Sequence, residues 1–137
     1  MEKYTQQVIE QFCRIISGDK IKELINSQCG EDLILSVIGK YGQLTPSAIC
    51  EICHTSSAHT AKTLSQLKQK GMIKREINEE DRRKATVFLT EKGIKRADEV
   101  MQSRLEAVSS LLQRLDENEQ KELLRLFSKI SSDEVNR

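Results

Sequence analysis

The sequence predicts a mainly α fold with a small β-wing: a winged helix-turn-helix lobe carried between N- and C-terminal dimerisation helices. Three observations predict it. Apolar residues recur at helical spacing over most of the chain. The period changes to two on either side of residues 78–84 and nowhere else. The two amphipathic patterns just before that change are short and follow one another across a polar "HTS".

Each element has a local reason. Val8, Phe12, Ile15 and Ile16 define a first amphipathic helix that stops near Gly18. Leu33, Ile34, Val37, Ile38 and Tyr41 define a second, with Gly42 as its C-cap. In "LTPSAICEIC", Thr45 is an N-cap and Pro46 takes the first helical position, where its missing N–H costs nothing. A fourth helix runs from about Ser57 to Lys70, with Ser56 as N-cap, Thr60, Leu64 and Leu67 as its buried stripe, and Gly71 as its stop. Alternation in "IKREI" (Ile73, Arg75, Ile77) and "ATVFLT" (Val87 and Leu89 against Thr86 and Phe88) predicts two strands joined by a loop. Thr90 then caps a long helix whose apolar positions Ile94, Ala97, Met101, Leu105, Val108, Leu112 and Leu115 step by three and four, a coiled-coil-like seam. Asp116 and Glu119 have capping-box spacing and open a last helix bearing Leu123, Leu126, Phe127 and Ile130.

Composition narrows the function. The 137 residues are one domain's length, and a 37% apolar content is low enough to point to apolar surface buried between chains. Net charge is only +1, but residues 56–90 carry eight Lys or Arg against four Asp or Glu, whereas residues 1–55 carry five against seven. One local segment is therefore basic. Neither a membrane span nor a signal peptide's apolar core is present, so a cytoplasmic protein with no membrane partner is expected, its Cys13, Cys29, Cys50 and Cys53 reduced. No Ser/His/Asp set, phosphate loop or paired-acid site is visible. The expectation is no enzyme: no catalytic residues, no cofactor and no metal.

The loop between the strands holds Arg82, Arg83 and Lys84 in succession. A helix of ordinary diameter fits the major groove of B-DNA, and a hairpin beside it reaches the adjacent minor groove, whose narrow walls concentrate negative potential. Cations at the tip are what that groove attracts, and a planar, weakly hydrated guanidinium enters it more readily than an ammonium.

The stretch "LTPSAICEICHTSSAHTAKTLSQLKQKGMIKREINEEDRRKATVFLTEKG", residues 44–93, resembles the multiple-antibiotic-resistance regulator (MarR) family of bacterial transcription factors, most specifically in "DRRKATVFLTEKG". The resemblance implies one MarR-type domain over 1–137, with dimerisation helices at 1–18 and 91–137 and a DNA-binding lobe at 30–90. It also implies that Asp81 orients Arg83, that Arg83 enters the minor groove, and that Arg82 and Lys84 hold phosphates. Where the family commonly has "TVTR", this chain has His59, Thr60, Ala61 and Lys62, so a bidentate Arg is replaced by a point charge. Ser56 as cap and Ser57, His59 and Lys62 as base-facing residues complete the implied DNA-binding set. A two-fold dimer would present two recognition helices to major grooves about 34 Å apart, on a pseudo-palindromic operator. The implied function is a homodimeric repressor of double-stranded DNA, modulated by a small-molecule effector or an oxidant near the junction of dimer helices and lobe, with Cys13 the first candidate for sensing oxidants.

Two other classes fit parts of the sequence. "CEICH" at 50–54 has C-x-x-C-H spacing, which a thiol- or metal-dependent sensor or oxidoreductase could use through Cys50, Cys53 and His54. Haem attachment, however, needs an exported chain, and a redox dithiol sits at a helix N-terminus, whereas Cys50 is at least one turn inside the helix opened by Pro46. By the resemblance both cysteines face the core of the lobe, as small hydrophobes. The remaining class is a helical interaction scaffold, whose DNA affinity would be absent or independent of Arg83.

Overall fold

The structure, a computed structural model, describes residues 2–77, 79–81 and 84–135. The elements are α1 (Thr5–Ile16), α2 (Asp19–Asn26), α3 (Gly30–Tyr41), β1 (Gln43–Leu44), α4 (Pro46–Cys53), α5 (Ser57–Gln69), β2 (Ile73–Ile77), β3 (Ala85–Leu89), α6 (Glu91–Leu112) and α7 (Glu117–Val135). The strands form one antiparallel sheet in the order β1-β3-β2, with Gln43 opposite Phe88 and Ile73 opposite Leu89.

The expected caps are present. Thr45 Oγ1 accepts from Ala48 N, Ser56 Oγ from His59 N and Thr90 Oγ1 from Gly93 N, each at 3.1 Å. Asp116 and Glu119 exchange reciprocal bonds of 2.9 and 3.0 Å between side chains and backbone N–H groups, the expected capping box. Gly42 ends α3 at φ 87°, a conformation that needs glycine.

One core lies within the lobe. Ile34, Leu35 and Ile38 of α3, Ile49 of α4, Leu64 and Leu67 of α5, Ile73 of β2 and Val87 of β3 pack together, with Leu44, Cys53, Met72 and Leu89 at its edge. The second packing zone is thinner. Ile21 of α2 and Val100 and Ala107 of α6 are buried, and Arg104 donates to Ser27 Oγ at 2.9 Å and to Ser27 O at 2.6 Å.

Several expectations need correction. Gly18, expected to end the first helix, is also the N-cap residue of α2, a helix whose Ile21, Leu24 and Ile25 fall on one face. β1 was not expected, and it makes the wing sheet three-stranded. In β2 only Ile73 is buried; Ile77 is 57% exposed, because the hairpin has run past the edge of the core by that point. The long seam, expected to be left for a second copy, is open over most but not all of its length, for Ala97, Leu112 and Leu115 are half-buried. Buried on α6 are Gly93, Val100 and Ala107, whereas Ile94, Met101 and Val108, each one residue further on, are exposed. One residue is a 100° rotation about a helix, so the seam lies beside the buried face, Ile94 and Met101 bordering the space between α6 and α3.

Candidate nucleic-acid interface

The first two turns of α5 are set by what its inner face buries. Thr60, Thr63, Leu64 and Leu67 turn inward. Thr60 is fully buried, and its Oγ1 lies 2.7 Å from Thr55 Oγ1 and accepts from Cys50 Sγ at 3.3 Å, which ties α5 to α4 and to the turn between them. Thr63 Oγ1 donates to His59 O at 2.9 Å. The buried hydroxyls of Thr60 and Thr63 are thus satisfied with that face turned inward, and Ser57, His59 and Lys62 are exposed.

Those three candidates and the Ser56 cap thus share one end of one helix. Asp81 and Lys84 belong to the loop between β2 and β3, where Lys84 N donates to Asp81 O at 2.9 Å; Asp81 is half-buried and Lys84 exposed. Arg82 and Arg83 lie outside the described residues, and so does the expected orientation of Arg83 by Asp81.

Between α5 and the wing runs a cleft of about 630 Å³, lined among others by Ser47 and Cys50 of α4, Ser57, Ala61 and Lys68 of α5, and Arg75 of β2. Lys68 and Arg75 were not singled out from the sequence. The signal was there, since Arg75 alternates with Ile73 and Ile77, but it reads equally well as the solvated side of a strand. A second cavity of about 530 Å³ lies between α3 and α6, where Leu33, Val37, Ile94 and Met101 supply apolar wall and Lys40, Asp98 and Arg104 supply charge of both signs.

The C-x-x-C-H motif has a structural account. His54 is the residue that ends α4, in the left-handed conformation at φ 53° with its N–H directed to Cys50 O; His adopts this region more readily than most side chains. The expectation that both cysteines face the core holds only in part, because each is half-buried. Cys53 packs on the core's edge, and burial, followed by the neighbouring Cys50, pushes its thiol pKa up. Cys50 instead directs its sulfur to Thr60 and lines the cleft. Among the described residues, no group of three or more His, Cys, Asp or Glu is placed to hold a metal ion, and no helix is long and apolar enough to cross a membrane.

A helix-turn-helix followed at once by a β-hairpin, which β1 from before the helix pair joins as a third strand, defines a winged-helix protein. The MarR family model matches residues 31–85. Over 98 residues the chain is 30% identical to the uncharacterized HTH-type transcriptional regulator YwhA of Bacillus subtilis (strain 168), covering 72% of this chain and 70% of that protein. The chain belongs to the MarR family of transcription regulators. Its fold is shared with Streptococcus pneumoniae FabT, solved in complex with DNA (TM-score 0.73, 24% identity, 93% of this chain and 97% of that one). It is shared also with an E. coli MarR mutant complexed with operator DNA (TM-score 0.67, 18% identity, 95% and 99%).

Proposed function

We propose that the chain is a homodimeric, DNA-binding transcriptional repressor that recognises a pseudo-palindromic operator and is released from it by a small molecule or an oxidant. The observation that carries the reading is the exposed N-terminal end of α5, with Ser57, His59 and Lys62 on a helix whose inner face is packed and hydrogen-bonded, beside a hairpin whose loop sequence is Asp81-Arg82-Arg83-Lys84. Ser57, His59 and Lys62 read bases in the major groove, the helix being held by its Ser56 cap. Arg83, oriented by Asp81, enters the minor groove, and Arg82 and Lys84 hold phosphates.

Dimerisation is supported by the apolar residues that one chain leaves uncovered. Val8 and Phe12 of α1, Met101 and Leu105 of α6, and Phe127 and Ile130 of α7 are all at least half exposed. Three separate helices with exposed stripes are completed by a second copy, residues 1–18 and 91–137 forming the dimer region and 30–90 the lobe. A DNA-bound FabT and an operator-bound MarR share the fold and support duplex DNA as the partner. Modulation is supported by the cavity between α3 and α6, whose partly apolar wall is large enough for a small molecule. For an oxidant the sensor would be Cys13, exposed on α1.

Selection of bound sequences from random duplex DNA tests the reading. The expected product is an inverted repeat with half-sites about one helical turn apart. Enrichment of no sequence would overturn it. A reporter placed downstream of the selected operator, silenced by the protein and restored by an effector, distinguishes repression from activation.

A further inference from the structure

The chain leaving the recognition helix is fastened to the start of the long helix at three successive carbonyls. Lys70 O accepts from Lys92 Nζ at 2.8 Å. Gly71 O accepts from Thr90 Oγ1 at 2.6 Å, and Met72 O from Thr90 N at 3.0 Å. Gly93 closes the contact, for a Cβ at that position would drive into the Met72 carbonyl. On its other side Lys70 is tied to α3, its Nζ donating to both Glu31 carboxylate oxygens at 2.7 and 2.9 Å. A second fastener between α3 and α6 is the Arg96 guanidinium, which reaches both oxygens of Asp32 at 3.1–3.3 Å.

Capping alone accounts for only part of this arrangement. Thr90 Oγ1 already caps α6 by accepting from Gly93 N; the same hydroxyl spends its proton on Gly71 O, which belongs to the segment between α5 and β2. The contact therefore fixes the angle between the helix that reads DNA and the helix whose exposed seam joins the dimer. That angle has a large lever arm. α5 has 13 residues, so it is about 20 Å long. A tilt of about 10° at its C-terminal end moves its N-terminal end by about 3.4 Å, one base-pair step along DNA.

We infer that Thr90, Lys92 and Gly93 are positioning residues that set the half-site spacing the dimer accepts. The inference rests on the reading of the chain as a two-fold DNA-binding dimer. It assigns to the start of α6 a specificity role without DNA contact: these residues act by holding α5 at one angle to the two-fold axis.

The test uses the full-length protein, its selected operator, and versions of that operator with one base pair added or removed between half-sites. The readout is the ratio of affinities for the selected and altered spacings, which is insensitive to the fraction of folded protein. Thr90→Asp keeps a good N-cap acceptor but cannot donate to Gly71 O, so it separates the two duties of the hydroxyl. The wild type is expected to discriminate against altered spacing, Thr90→Ser to match it, and Thr90→Asp to lower the ratio by about tenfold while binding an isolated half-site as the wild type does. Lys92→Met, which loses only the Lys70 O contact, is expected to shift the ratio in the same sense by less. Discrimination by both Thr90→Asp and Lys92→Met equal to that of the wild type would overturn the inference, as would equal losses on the half-site and full operator. Failure of the wild type to select any operator would overturn the underlying DNA-binding reading instead.

Discussion

The lobe of residues 30–90 and the helices on either side of it solve the same problem in opposite ways. The lobe buries its apolar residues within itself: Ile38, Ile49 and Leu67 have no exposed surface at all. α1 carries a comparable apolar face and buries none of it, and on α7 Leu124 and Phe127 are 69% and 60% exposed. Burying a large apolar side chain is worth about 1.5–3 kcal/mol, so several left open represent a free energy the single chain does not collect. The lobe thus closes its own core within one chain, whereas α1 and α7 leave their apolar faces open, which is what the proposed dimer would cover.

The largest expected effect breaks the lobe. Ile38→Ala removes a fully buried side chain at the centre of the core and leaves a cavity, so it is expected to destabilise the protein by about 2–5 kcal/mol in denaturant unfolding. A loss under about 0.5 kcal/mol, the range of ordinary surface substitutions, would mean that the core is centred elsewhere.

Next comes the open seam. Leu105→Glu combined with Phe127→Glu places charge on two exposed apolar positions. The variant is expected to sediment as a monomer and to lose about 100-fold or more in operator affinity, because linkage of the two lobes is lost. Its half-site affinity should survive. A variant that remained dimeric would show that another face carries the interface.

The contrast also explains what could be read from the sequence. Caps were legible because each is decided within three residues: Thr45 with Ala48, Ser56 with His59, Thr90 with Gly93, Asp116 with Glu119. α5 was legible from Thr60, Leu64 and Leu67, which one period places on one face. The two-residue β1 was not, since what defines it is pairing with Val87 and Phe88 more than forty positions away. That the α6 seam is largely left open by its own chain was expected from its spacing; that Ile94 and Met101 also border α3 was not, because it depends on tertiary packing. The bond from Thr90 to Gly71 joins two recognised features, a cap and a helix stop, and neither local rule implies their contact.

Within the proposed interface, α5 and the wing are expected to respond differently to substitution. Alanine at His59 or Lys62 is expected to change which operator is preferred, by about 1–3 kcal/mol for a lost base contact. Arg83→Ala should instead weaken binding to all duplexes alike and reduce the salt slope by about one counterion, with Asp81→Ala a milder version. Titration of each variant against the selected operator and an unrelated duplex at several salt concentrations separates the two patterns. An unchanged slope and affinity in Arg83→Ala would make the loop's cations an ordinary solvated surface.

The smallest effects concern the cysteines, which fall on both sides of the divide. Cys13 and Cys29 are exposed, whereas Cys50 and Cys53 are half-buried in the lobe. Thiol reagents are therefore expected to modify Cys13 and Cys29 first, Cys50 more slowly from the cleft, and Cys53 last, because burial and then Cys50 disfavour its thiolate, the reactive form. After unfolding, the four rates should converge. The raised folded pKa of Cys53 also has a signature in stability. As pH rises past the ordinary thiol value, about 8.5, the unfolded chain releases a proton that the folded chain still holds. Stability should thus fall with rising pH between that value and the folded pKa and be unaffected below it, and Cys53→Ala should abolish this contribution to the slope. Rapid labelling of Cys50 and Cys53 together in the native protein, or one retained metal ion per chain, would instead favour a sensor built on the C-x-x-C-H motif.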